Sequence, residues 1–301
     1  MKNAFARLRW ILLSFLLAVL AGSPSVAFSA DAPAPKAEPK PDPNPVAKPS
    51  SPANAKLLEQ FNQETDLNIK NKLFRTIGET GSLDFLPLFV AKLDDDTPRI
   101  RESAGNAFPV YMRNMKDRPE DIQTVAEATV PIFIRHLSGN QSNIALACQD
   151  LRHLGPYGKA AVPALRKTLQ SASNDFDRSM CMFGLSGIGP DASCAIPDIL
   201  KFIEHPDCHA DMAMALGALG KGNLDAERTL IKLADSNQLA VRHYVAAGLG
   251  KISATLDETR TVLQKMAAND SNPTIREFAK QSLQQLPIRA AKPIPKPADD
   301  F

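Results

Sequence analysis

From residue 54 to residue 286 the apolar positions fall into blocks with a helical period, and the blocks themselves repeat. The segments RIRESAGNAF (99–108), LAVRHYVAAGL (239–249) and PTIREFAKQSL (273–283) share one pattern: an apolar residue, an arginine, a mixed stretch with alanine, and a closing large apolar residue. Counting from the closing residue gives the anchors Ile77, Phe108, Leu151, Leu185, Leu216, Leu249 and Leu283, separated by 31, 43, 34, 31, 33 and 34 positions. Four before each anchor stand Leu73, Ala104, Ala147, Cys181, Met212, Val245 and Ala279, all apolar or small. Eight before stand Ile69, Ile100, Asn143, Asp177, Cys208, Val241 and Ile275, and beside the two polar ones lie Ile144 and Phe176. A face returning at zero, four and eight is helical, since a strand alternates with period two. The long step of 43 marks an insertion over 114–124.

A second helix is predicted ahead of each of these. PLFVAKL, PIFIRHL, PALRKTL and PDILKFI align at Pro87, Pro131, Pro163 and Pro197, where a first turn tolerates the missing amide. Later copies begin with Asp225 and Asp257, which suit a helix N-terminus. Turn formers such as GNQ, SASND, HPD and DSNQ connect the pairs. Gly184, Gly187, Gly217, Gly220, Gly248 and Gly250 let neighbouring helices approach closely. The prediction is an all-α chain, an α-solenoid of about seven two-helix repeats.

The unit Pro-x-x-x-x-x-Leu…Asp…Val-Arg-x-x-Ala-x-x-x-Leu-Gly resembles the HEAT repeat, in the short form first described in phycobilisome lyases. The resemblance covers 57–286 and is clearest in LIKLADSNQLAVRHYVAAGLGKI (230–252). It implies an armadillo-like superhelix with ladders of arginine and a preceding aspartate. The cation column here reads Lys70, Arg101, Ile144, Arg178, His209, Arg242 and Arg276, so the third and fifth units depart from it. A fold of this kind hosts many functions and fixes none.

The ends differ from the middle. Residues 1–30 combine a basic start, the apolar run WILLSFLLAVLAG and small residues before Ala27 and Ala30, the order of a secretory signal peptide cleaved after 27 or 30. The run is 13 residues, short of the ~20 needed to span a bilayer, and no second one follows. The expectation is an exported protein, periplasmic or secreted, with no integral span after signal removal. Residues 31–53 are a Pro-rich linker, with eight prolines between Asp31 and Pro52, and 287–301 a shorter Pro-rich tail.

Charge narrows the function. The net charge is +2, and the first thirty residues hold Lys2, Arg7, Arg9 and no acid. Taking those three away leaves −1, with no Trp once Trp10 is gone. That excludes general nucleic-acid binding, which needs a cationic face. HEAT-repeat hydroxylases hold di-iron through His-Glu dipeptides. The five histidines here precede Leu137, Leu154, Pro206, Ala210 and Tyr244, so the pattern is missing throughout. No nucleophile elbow, phosphate loop or zinc-spaced cysteine pair occurs, and neither an enzyme nor a cofactor is predicted.

Two chemistries remain. In HEAT stacks the second helices line the concave face, and positions six, three and two before each anchor point inward. In the middle units these include Ala145, Cys148, Gln149, Ser179, Met182, Phe183, Ala210, Ala213, Met214, His243, Ala246 and Ala247. The predicted partner-binding set is Cys148, Gln149, Ser179, Met182, Phe183, Ala210, Met214 and His243: an apolar groove for a protein or peptide, with polar ends. Tight curvature would instead bury these side chains between helices. The alternative is metal handling by His205, Cys208 and His209. Of the four cysteines, Cys148 and Cys181 are best placed to pair across adjacent units, and buried thiols are the favoured state.

Overall fold

The computed structural model describes residues 49–252 and 256–286. The predicted signal peptide, the predicted linker up to residue 48 and the predicted tail from 287 lie outside the described residues. Seven helix pairs follow one another, and no strand occurs among the described residues. Unit 1 is α1 (Pro52–Gln63) with α2 (Leu67–Thr80), and unit 2 is α3 (Leu86–Leu93) with α4 (Pro98–Arg113). Unit 3 pairs α5 (Pro119–His136) with α6 (Gln141–Leu154), and unit 4 pairs α7 (Val162–Ser171) with α8 (Asp175–Ile188). Unit 5 is α9 (Ile196–Leu200) and α10 (His209–Leu219), unit 6 α11 (Leu224–Leu233) and α12 (Leu239–Lys251), unit 7 α13 (Asp257–Asn269) and α14 (Pro273–Gln285). The chain is an α-solenoid of HEAT-like units.

The anchors explain the stacking. All seven fall on second helices, and all but Leu283 are buried. Each buried leucine removes enough apolar surface to contribute about 1.5–3 kcal/mol. Leu283 is half-buried; Ser282 beside it is buried and donates to the Ala246 carbonyl at 2.7 Å. Asn140, Asn174, Asn223 and Asn272 accept amide protons at the starts of α6, α8, α11 and α14, so the turn formers are also caps. Pro87, Pro163 and Pro197 sit in first turns, as expected. Pro131 does not: it lies inside α5, whose first turn is taken by Pro119 with Glu120 and Asp121. The insertion therefore lengthens a helix rather than a loop.

The cation column does a job that its composition hides. Lys70, Arg101, Arg178, His209, Arg242 and Arg276 each bind the backbone carbonyl six residues earlier, in the turn of their own unit: Glu64, Asp95, Ala172, Ile203, Ser236 and Asp270, at 2.6–3.0 Å. His209 thus keeps the role in unit 5, where the residue type departs. Only Ile144 in unit 3 does not. A rung between units is present as well, where Arg242 Nε donates to Asp270 Oδ2 at 2.8 Å.

Candidate binding face

The second helices α6, α8, α10, α12 and α14 pack side by side along much of their length. Successive first helices touch far less. Glycine makes this possible: a Cβ added at Gly217 would stand 2.6 Å from Gly248 Cα. Helices this close enclose the side chains that face the neighbouring unit. Cys148, Met182, Ala213 and Ala246, three before their anchors, are 0 % exposed and packed inside the stack. Cys148 and Met182 therefore leave the predicted partner-binding set. Ser179 is buried as well, and Gln149, Phe183, Ala210, Met214 and His243 are half-buried. Of the polar ends, Asn71, Arg75, Glu102, Asn106, Glu277, Lys280 and Gln281 are exposed, whereas Phe74 is packed in the core.

Phe183 and Met214, two before their anchors, and Asp211, Tyr244 and Phe278, five before theirs, are half-buried, and periodicity alone does not single out the last three. Arg152, one after the anchor Leu151, ties Phe183 and Met214 together. Its guanidinium lies over the Phe183 ring at 4.2 Å, a cation–π contact, and Nη1 contacts Met214 Sδ at 3.8 Å. The same nitrogen donates to Ser186 Oγ and, at 3.4 Å, to the Phe183 carbonyl. One side chain of unit 3 thus spans units 4 and 5. Burial pulls the Arg152 pKa down, while Tyr244 and Asp211 act to raise it. Farther along, the His243 ring meets Phe278 edge-on at 4.5 Å and Tyr244 at 5.3 Å, and burial lowers its pKa. The strip can offer aromatic, thioether and guanidinium surface to a partner.

The residues proposed for metal do not converge. His209 Nε2 is 2.7 Å from the Ile203 carbonyl. His205 Nδ1 lies 3.3 Å from Asp175 Oδ1 and 3.4 Å from Arg178 Nη1, a cation that opposes a metal. Cys208 points at the Asp175 carbonyl, and burial pushes its thiol up to about 12, far from the thiolate a metal needs. No group of three or more His, Cys, Asp or Glu side chains comes together among the described residues. All four cysteines are free thiols; Cys194 is exposed and the rest are buried. Burial raises the Cys148 pKa, with the Cys181 thiol beside it adding to the effect. No helix among the described residues is long and apolar enough to cross a membrane.

Comparison with known proteins agrees with this architecture. Residues 196–284, units 5 to 7, match the family of HEAT repeats. The crystal structure of an archaeal HEAT-like repeats protein from Thermococcus onnurineus is similar, with a TM-score of 0.52 and 17% identity over 80% of this chain and 97% of that one. An engineered protein gives the same TM-score at 14% identity, over 66% and 97%. The complex of CpcE and CpcF of phycocyanin lyase from Nostoc is more distant, with a TM-score of 0.41 and 22% identity over 52% and 98%. At these identities the first two likenesses show the fold alone, and the third carries no argument. No curated protein matches the chain.

Proposed function

We propose that this chain is a non-catalytic scaffold or adaptor of the cell envelope that holds a protein or peptide along its second helices. The observation that supports it is the strip through Arg152, Phe183 and Met214. Phe183 and Met214 remain half-buried on consecutive units, flanked by the exposed polar residues of the end units. Apolar surface rimmed by polar residues is the usual form of a docking site. A two-layered stack curls toward its more closely spaced layer, and the close packing of the second helices supports reading this face as the concave one. Export rests on the signal-like segment 1–30.

The test is a crosslinking pulldown on the exported protein beside a Phe183→Asp/Met214→Asp variant. Both side chains are half-buried, so circular dichroism must first show that the variant is as helical as wild type. Capture of one dominant partner by wild type and its loss in the variant is the expected result. Equal capture by both proteins refutes the strip. Export is checked by N-terminal sequencing, which should begin after Ala27 or Ala30; a mature product that keeps Met1 overturns it.

A further inference from the structure

The one unit without a cation has a pocket where the cation should be. In unit 3 the position is Ile144, and six residues earlier stands Ser138. At the junction of units 6 and 7 the equivalent Arg242 also meets Asp270 across the stack. Asp270 is thirteen before its anchor, and the same position in unit 4 is Ala172. Both members of the pair are thus apolar at the junction of units 3 and 4. A pocket of about 200 Å³ opens between them, lined by Ser138, Ile144, Thr168, Ser171, Ala172 and Asp177 among others.

Asp177 gives this pocket a chemical preference. It is 8 % exposed, and its Oδ2 accepts from the Asn174 side-chain amide at 2.7 Å. Its Oδ1 is buried without a hydrogen-bond partner among the described residues. A buried acceptor left without a donor is costly, and such groups in native proteins usually have one. The terminal nitrogens of Arg178 and Arg101 are engaged elsewhere, while the Nε of each is buried without a hydrogen-bond partner among the described residues. Arg178 is held by Asp175 at 2.5 Å and by the Ala172 carbonyl. Arg101 is held by the carbonyls of Asp95 and Asp96 and by Asn143 Oδ1. The Thr168 hydroxyl serves the carbonyls of Leu137 and Ala164.

We propose that this pocket binds a guanidinium cation, which takes the place of the arginine that unit 3 lacks. The planar fork of donors suits a carboxylate, and the charge compensates Asp177 where an anion would be repelled. The guanidinium comes either from a small molecule or from an arginine side chain of a partner; the recognition is the same. The site stands apart from the second-helix strip, so either can fail alone.

The test is titration calorimetry on the full chain with ethylguanidinium and with N-acetyl-arginine methylamide. The uncharged citrulline analogue serves as control. Two substitutions accompany it. Asp177→Asn keeps the shape and removes the charge. Ile144→Arg supplies a tethered guanidinium to the same space. Wild type should bind both guanidinium probes saturably and ignore citrulline. Affinity should fall at least about tenfold in Asp177→Asn, as the loss of a charge-assisted hydrogen bond requires. Ile144→Arg should abolish binding and raise Tm. Tighter binding of the arginine amide than of ethylguanidinium marks a peptide source, and equal binding a small molecule; both support the site. Absence of binding to wild type, or binding unchanged in Ile144→Arg, overturns the proposal. Should Asp177→Asn fail to fold, Ile144→Arg decides alone.

Discussion

Units 1 to 3 and units 4 to 7 close their cores with opposite materials. The early units use rings: Phe61 meets Phe74 at 4.5 Å, Phe89 stacks on Tyr111 at 4.4 Å, and Phe108 meets Phe133 edge-on at 5.6 Å. Rings fill the space between helices there, although Gly78 also brings two backbones close: an added Cβ would lie 3.0 Å from the Ala107 carbonyl oxygen. The later units use absence: Gly217 faces Gly248, and a Cβ on Gly184 would lie 3.2 Å from the Cys148 carbonyl oxygen. Backbones there touch directly. Both solutions hide apolar surface, but they fail in opposite ways. A core of rings is damaged by removing atoms and a core of glycines by adding them.

Substitutions can test that contrast, because a solenoid's stability is set mainly by each unit and its neighbours. The largest effect is expected from Phe89→Ala, since Phe89 contacts Phe74, Phe108 and Tyr111. It should cost about 3–5 kcal/mol in urea unfolding. Hydrogen exchange should show the loss in units 1 to 3 while α12 and α14 keep their protection. Uniform loss along the chain would mean that the two halves are one cooperative block. Gly217→Ala comes next, at about 1–3 kcal/mol for a single added methyl, with the lost protection in α10 and α12. A neutral result would show that the two backbones can part freely.

The smallest effect belongs to the rung between units 6 and 7. Burial works against the ionised Asp270. Hydrogen bonds from Arg242 and the Asn272 amide, with the charges of Arg242 and Arg276, outweigh it and hold its carboxyl below the usual carboxylate range. A carboxyl lowered by folding stabilises the protein above its unfolded pKa of about 3.9. That contribution fades as pH drops from there through the folded value. Asp270→Asn keeps one hydrogen bond and should cost about 1 kcal/mol at pH 7. The difference from wild type should shrink as pH is lowered below 4. A difference that stays constant with pH would show that the charge contributes nothing.

Much of this was legible in the sequence. Seven anchors at near-constant spacing fix seven second helices, because a helical face must return every four residues to meet a neighbour. Pro131 misled because a proline suits a first turn yet is also tolerated inside α5, and Pro119 already supplied the start. The rotation of each helix about its own axis was not legible. Positions three and two before the anchor both border the apolar face. Only the direct contact of glycine-bearing backbones sends Met182 inside and leaves Phe183 at the surface. Arg152 carries no signal in the sequence because it reaches two units along the chain, and no local pattern records such a reach. The cation column was visible as a break at Ile144 and His209, but only hydrogen bonds distinguish a real break from a change of residue.

Six side chains of that column each clasp a carbonyl in the turn that precedes their own helix. The clasp is therefore inherited with the unit: a stretch of about thirty-three residues, copied whole, brings both the hook and the eye. A chain wired this way can grow or shrink by duplication without renegotiating its existing connections, and length becomes the trait that drifts most cheaply. The junction that lost its hook stands outside that grammar, and there a molecule from elsewhere can complete the sentence.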